Sequence, residues 1–184
     1  MAAGAAALAL LFAAGGNAAA QDNTATVQSP AESYCLQKGG KVGVRQPVYG
    51  SNGGNLLFLT GSRQFCQFTS KKDGSRIHIL LETLYSTQPT LAALAYYFPP
   101  AYQGGGGGNP ASYYCTQLGG TDVFGGPNDP AGGGWYLKGT IDETLEACIF
   151  PDMSSIDSWG LTYRSAQIVR GIDLTTVMRF NPNK

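Results

Sequence analysis

Ser29 to Gly40 reads SPAESYCLQKGG, and Asn109 to Gly120 reads NPASYYCTQLGG. Pro, Ala, Tyr, Cys, Gln and a closing Gly-Gly recur at matching offsets, so the chain carries an internal repeat. Each stretch has the grammar of a short helix. Ser29 or Asn109 is an N-cap residue whose side-chain oxygen accepts an orphan helix N–H. Pro30 or Pro110 follows at the first helical position, where a missing N–H costs nothing. Gly39 or Gly119 suits a left-handed C-terminal cap.

Outward from these helices the pattern turns to strands. Leu56-Leu57-Phe58-Leu59 is an apolar run, Arg63 to Phe68 alternates polar and apolar, Asp73-Gly74 is a hairpin dipeptide, and Ile77 to Leu81 reads as a third strand. Trp135 to Leu137, Ala147 to Phe150 and Ser158 to Tyr163 take these places in the second copy. Asp73-Gly74-Ser75-Arg76-Ile77-His78 aligns with Asp152-Met153-Ser154-Ser155-Ile156-Asp157, which sets His78 and Asp157 at equivalent positions. Short closing helices are expected at Thr90 to Phe98 and Leu174 to Phe180. The fold class is α+β: two tandem repeats, each a short N-terminal helix disulfide-linked to a small antiparallel β-sheet. Gly104 to Gly108 is a five-glycine linker by composition. The expected organisation is therefore a leader at 1–20, an N-terminal extension at 21–28, a repeat domain at 29–103, the linker at 104–108 and a second repeat domain at 109–184.

Four cysteines allow three pairings. The repeat selects Cys35–Cys66 and Cys115–Cys148, one bridge inside each copy. Such bonds need an oxidising compartment, and the leader supplies one. Residues 1–20 carry no charge, Ala5 to Ala14 has the length of a signal-peptide apolar region, and Ala18-Ala19-Ala20 offers a cleavage site before Gln21. This predicts a periplasmic or secreted bacterial protein with no stable membrane insertion after cleavage, although no basic residue precedes the apolar run.

The opening motif, followed by C-x-F-P-D-x-S-x-x-x-x-W, resembles a bacterial exported family labelled hemolysin (domain of unknown function 333). The second copy carries Asn109, Pro110, Ala111, Tyr114, Cys115, Gly119, Gly120, Cys148, Phe150, Pro151, Asp152, Ser154 and Trp159. The first copy is looser, with Ser29 for Asn and Leu80 for Trp. The resemblance implies two divergent tandem copies of a small exported domain of the bacterial envelope, and it implies no chemistry.

Composition excludes several function classes. The 184 residues hold 12 Lys+Arg against 12 Asp+Glu, so no basic surplus marks a nucleic-acid binder. A single histidine excludes multi-histidine metal sites. No catalytic residue, metal site or cofactor is expected. His78 reads as a solvated strand position, because Ile77 and Ile79 face the other way. Asp142, Glu143 and Glu146 read as a solvated acidic face. The glycine runs lack the G-K-[ST] continuation of a phosphate loop. Trp135, Tyr136, Tyr102 and Tyr113 are candidates for an aromatic binding platform. Residues 21–103 carry seven basic and four acidic side chains, and residues 104–184 carry five and eight. The halves thus have net charges of +3 and −3, which favours their mutual attraction or head-to-tail self-association. The functional expectation is a non-enzymatic exported protein acting by binding or self-assembly. The alternative is a secreted protease or lysozyme inhibitor presenting a loop such as Gly125 to Gly134.

Overall fold

The computed structural model describes residues 1, 28–50, 56–104, 108–122, 133–140 and 142–184. The leader and extension (2–27), the centre of the glycine run (105–107) and most of the 125–134 loop lie outside the described residues. The elements run α1 (Pro30–Gln37), β1 (Lys41–Tyr49), β2 (Leu57–Phe58), β3 (Arg63–Thr69), β4 (Arg76–Leu80), α2 (Leu81–Tyr85) and α3 (Leu91–Tyr97). They continue α4 (Pro110–Gln117), β5 (Thr121–Asp122), β6 (Gly134–Tyr136), β7 (Thr144–Leu145), β8 (Ala147–Ile149), β9 (Ser155–Asp157) and α5 (Ser158–Ser165), closing with a 3₁₀ turn at Leu174–Thr176.

Both opening helices form as their caps dictate. Ser29 Oγ accepts from Glu32 N–H while the Glu32 carboxylate accepts from Ser29 N–H, a closed capping box. Asn109 Oδ1 accepts from Ala111 N–H, and its amide donates to Glu146. Each Gly-Gly pair does two jobs. Gly39 (φ +82°) and Gly119 (φ +83°) take the left-handed turn that ends the helix. Gly40 and Gly120 lie against the disulfides. A Cβ on Gly40 would stand 2.8 Å from Cys35 Sγ and closer still to Cys66 Sγ, and one on Gly120 would stand 3.0 Å from Cys115 Sγ and closer to Cys148 Sγ. The bridges are Cys35–Cys66 and Cys115–Cys148, pinning α1 to β3 and α4 to β8.

Among the described residues the strands form one antiparallel sheet in the order β5-β8-β9-β4-β3-β1-β6-β7, with β2 beside β1. Residues of 29–103 and of 109–184 meet at two seams: Ile79 lies opposite Ile156 where β4 pairs β9, and Pro47 opposite Trp135 where β1 pairs β6. Cys66 lies opposite Ile79, and Cys148 opposite Ile156. Side chains alternate between the two faces of each strand. Cys66, Phe68, Ile77, Ile79, Cys148 and Ile156 point to one face, under the helices, and form the main core with Leu81, Leu84, Tyr96, Tyr114 and Leu161. The other face is concave. Phe65, Leu80, Trp135, Leu145 and Ala147 make a second buried cluster there, with Ile149 packed against it. Ile149 belongs to β8, near one end of the strand order, and Trp135 to β6, near the other. The sheet curls until its ends approach, and its second face is covered by itself.

Two local expectations are corrected, and one strand is added. Ser158 to Tyr163 is helix, not strand, because Asp157 caps it by accepting from Gly160 N–H. Among the described residues the longest strand is β1, a stretch for which no element was expected. The closing segment Leu174 to Phe180 is helical only over the 3₁₀ turn at Leu174–Thr176, while the Thr90–Phe98 segment does hold a helix, α3.

Candidate functional site

The concave face carries a polar cluster beside the apolar one. Gln67 lies opposite His78 in the β3–β4 ladder, so both point to the face that also bears Phe65 and Leu80. His78 is 3% exposed, Asp157 4% and Arg45 1%. This overturns the solvated reading of His78. Alternation did place it opposite Ile77 and Ile79, but the curl buries that face too. Cys66 faces Ile79 and Phe65 faces Leu80, as Cys148 faces Ile156 and Ala147 faces Asp157, so by register Asp157 matches Leu80 rather than His78. The Asp157 carboxylate accepts from His78 backbone N–H at 2.8 Å and lies 3.3 Å from His78 Nδ1. Nε2 sits between a donor, Arg45 Nη2 at 3.3 Å, and an acceptor, Gln67 Oε1 at 3.2 Å, so either tautomer finds a partner.

Arg45 donates through Nη1 to the carbonyls of Trp135 (2.9 Å) and Asp142 (2.8 Å). Burial pulls its pKa down to about 10, opposed by the nearby Asp142 and Asp157 charges. It therefore remains a cation near neutrality, spent on tying β1 to the β6–β7 region. Asp142 is not part of a purely solvated face: its carboxylate is paired with Arg76 Nε and accepts from Nη2 at 3.0 Å. Glu143 is exposed as expected, and Glu146 is half-buried and accepts from Asn109. Among the described residues the polar partners of the His78 ring are Arg45, Gln67 and Asp157, with Asp142 at 3.9 Å from Nε2. The ring links β4 to β9 through Asp157, to β1 through Arg45 and to β3 through Gln67. Among the described residues no group of His, Cys, Asp and Glu could hold a metal ion. Nor is any helix there long and apolar enough to cross a membrane.

The second feature is a groove of about 560 Å³ where the curled ends approach. Its walls include Pro47 of β1, Leu59 after β2, Trp135 of β6, Ile149 of β8, then Phe150 and Met153. Small-molecule sites typically have volumes of roughly 300–1,000 Å³ and mostly apolar walls with a few polar groups. Thr60, Thr121 and Arg63 supply the polar margin here. Met153 is half exposed and takes φ +64°, held in its turn by its N–H donating to the Phe150 carbonyl at 2.8 Å.

The four aromatic candidates do not form one platform. Trp135 is buried, tilted against Phe65 at 5.7 Å between ring centroids, and forms a wall of the groove. Tyr136, its neighbour on β6, packs edge-on against Phe58. Tyr102 packs edge-on against Tyr114 beside the main core, and Tyr113 is a half-buried residue of α4. Arg45 and Arg63 were missed by sequence reasoning. The signal was inverted on β1, where Val44 is exposed and Arg45 buried. Comparison with family models, with curated proteins and with solved structures gives no match.

Proposed function

We propose that the chain is an exported, non-enzymatic binding protein that holds an apolar ligand in the groove at the mouth of the curled sheet. On this reading it comprises two divergent copies of one disulfide-stapled unit, of the kind found in the hemolysin-labelled family. The groove is the observation that carries the functional part: an apolar-walled cavity of ligand-binding size, framed by both ends of the sheet. The non-enzymatic part is supported by the His78 ring, whose nitrogens both face structural partners. The exported part is supported by two disulfides and by the alanine-rich leader. Titration with an uncharged solvatochromic dye tests the binding reading. Saturable one-to-one binding that Met153→Asn weakens is expected, since asparagine keeps the left-handed turn and removes apolar wall. Absence of saturable binding refutes it. A second reading, self-assembly through an edge, is favoured by Leu57 and Phe58 of β2, which are 60% and 51% exposed. A concentration-independent monomer in sedimentation disposes of that one.

A further inference from the structure

Arg63 opens β3 and sits on the same face as Phe65 and Gln67, the concave one. It lines the groove together with Trp135 and Pro47. Among the described residues its guanidinium makes no ion pair; the pairs found are those of Arg76, His78 and Arg164. Glu82 lines the adjoining cavity with Arg63 but is not within ion-pair distance. Directly opposite Arg63 in the β1–β3 ladder is Arg45, another cation. Like charges in facing positions repel, and Arg45 is committed to the carbonyls of Trp135 and Asp142. An unpaired cation beside a second one, at the margin of an apolar cavity, is complementary to an anion whose remaining body is apolar.

We propose that the groove takes an amphiphile with one anionic oxyanion head and an apolar chain, Arg63 binding the head and the Trp135–Ile149–Met153 walls the chain. This rests on the binding reading above and adds the ligand's chemistry to it. A guanidinium recognises carboxylate and phosphate alike through paired N–H donors. The head can therefore be a fatty carboxylate or an alkyl phosphate, and the two are separated by experiment.

Isothermal titration of the full chain with dodecanoate, dodecyl phosphate and dodecan-1-ol, each below its micelle-forming concentration, tests this. One or both anions are expected to bind at least about tenfold more tightly than the alcohol, the scale of one charge-assisted contact. Arg63→Gln is expected to erase that preference while leaving the alcohol's affinity unchanged, and Arg63→Lys to retain part of it. Met153→Asn is expected to weaken all ligands that bind. Among the described residues the Arg63 side chain makes no hydrogen bond or ion pair, and far-ultraviolet circular dichroism verifies that its variants remain folded. Equal binding of alcohol and anions, unaltered by Arg63→Gln, overturns the inference and leaves the apolar binding reading standing. Failure of all three ligands to bind overturns both.

Discussion

Gly39 and Gly40 are neighbours with different reasons to be glycine, and a double-mutant cycle separates them. Gly39→Ala puts a Cβ into open space at φ +82°. Its cost is the left-handed backbone penalty alone, about 1–2 kcal/mol. Gly40→Ala has no such backbone problem. Its Cβ would lie 2.8 Å from Cys35 Sγ, closer to Cys66 Sγ, and 3.0 Å from the Phe68 ring. The bridge and the ring are all buried, so the neighbours must shift, an overpacking cost of about 1–3 kcal/mol. The two costs differ in what relieves them. In a Cys35→Ala/Cys66→Ala background both sulfurs are gone, and the space the new methyl needs is vacated. Gly40→Ala is then expected to cost at least about 1 kcal/mol less than in the bridged protein, a coupling typical of residues in contact. Gly39→Ala is expected to cost the same in both backgrounds. Urea denaturation followed by circular dichroism reads all the corners of both cycles, provided the m-value is unchanged. An equal cost for Gly40→Ala with and without the bridge would refute the claim that the second glycine exists to clear the disulfide. The same contrast holds for Gly119 and Gly120 about Cys115–Cys148.

Two further outcomes follow from the buried polar groups. Arg45→Met removes the donor from the buried Trp135 carbonyl and the part-buried Asp142 carbonyl; an unsatisfied buried acceptor costs about 1–3 kcal/mol, so about 2–4 kcal/mol of stability should disappear in urea denaturation, and a loss below about 1 kcal/mol contradicts the tie described here. Asp122 is buried, which pushes its pKa up to about 6, offset in part by hydrogen bonds from Ser158 and Ser112. Its folded pKa exceeds its unfolded one, so its protonated form stabilises the fold: the contribution is complete below about pH 4 and is lost as pH rises through about 6. Asp122→Asn should therefore gain about 2–3 kcal/mol on the wild type at pH 7.5 and little at pH 4, and an advantage independent of pH over that range would be inconsistent with it.

Local signals carried well wherever the physics is local. The caps at Ser29 and Asn109, the prolines after them and the glycines that end α1 and α4 read directly as helices. The sulfur pairing followed from two helices each preceding one further cysteine. Reading failed where a second layer of structure reversed the meaning of a pattern. His78 alternates with isoleucines as a solvated residue would, and only the curl makes its face an interior. Val44 and Arg45 exchange their usual places because Arg45 points into the concave face, where it meets the Trp135 carbonyl and the His78 ring. Ser158 to Tyr163 has aromatic and hydroxyl residues that suit a strand, but Asp157 is in position to cap a helix, and the backbone follows the cap.

The sequence by itself determined the α+β class, the two capped helices and the residues that form the two bridges, because caps and glycine backbone angles act within a few residues of chain and each recurring helix motif is followed by one further cysteine. Only the tertiary structure decided that strands from both halves share one sheet, that this sheet curls, and that the curl creates a groove with Arg63 at its margin. Those features depend on pairings between residues 77 to 90 positions apart, such as Ile79 with Ile156 and Pro47 with Trp135. Side-chain alternation along one strand does not specify which distant strand will lie beside it, nor whether its second face meets water or the far end of its own sheet.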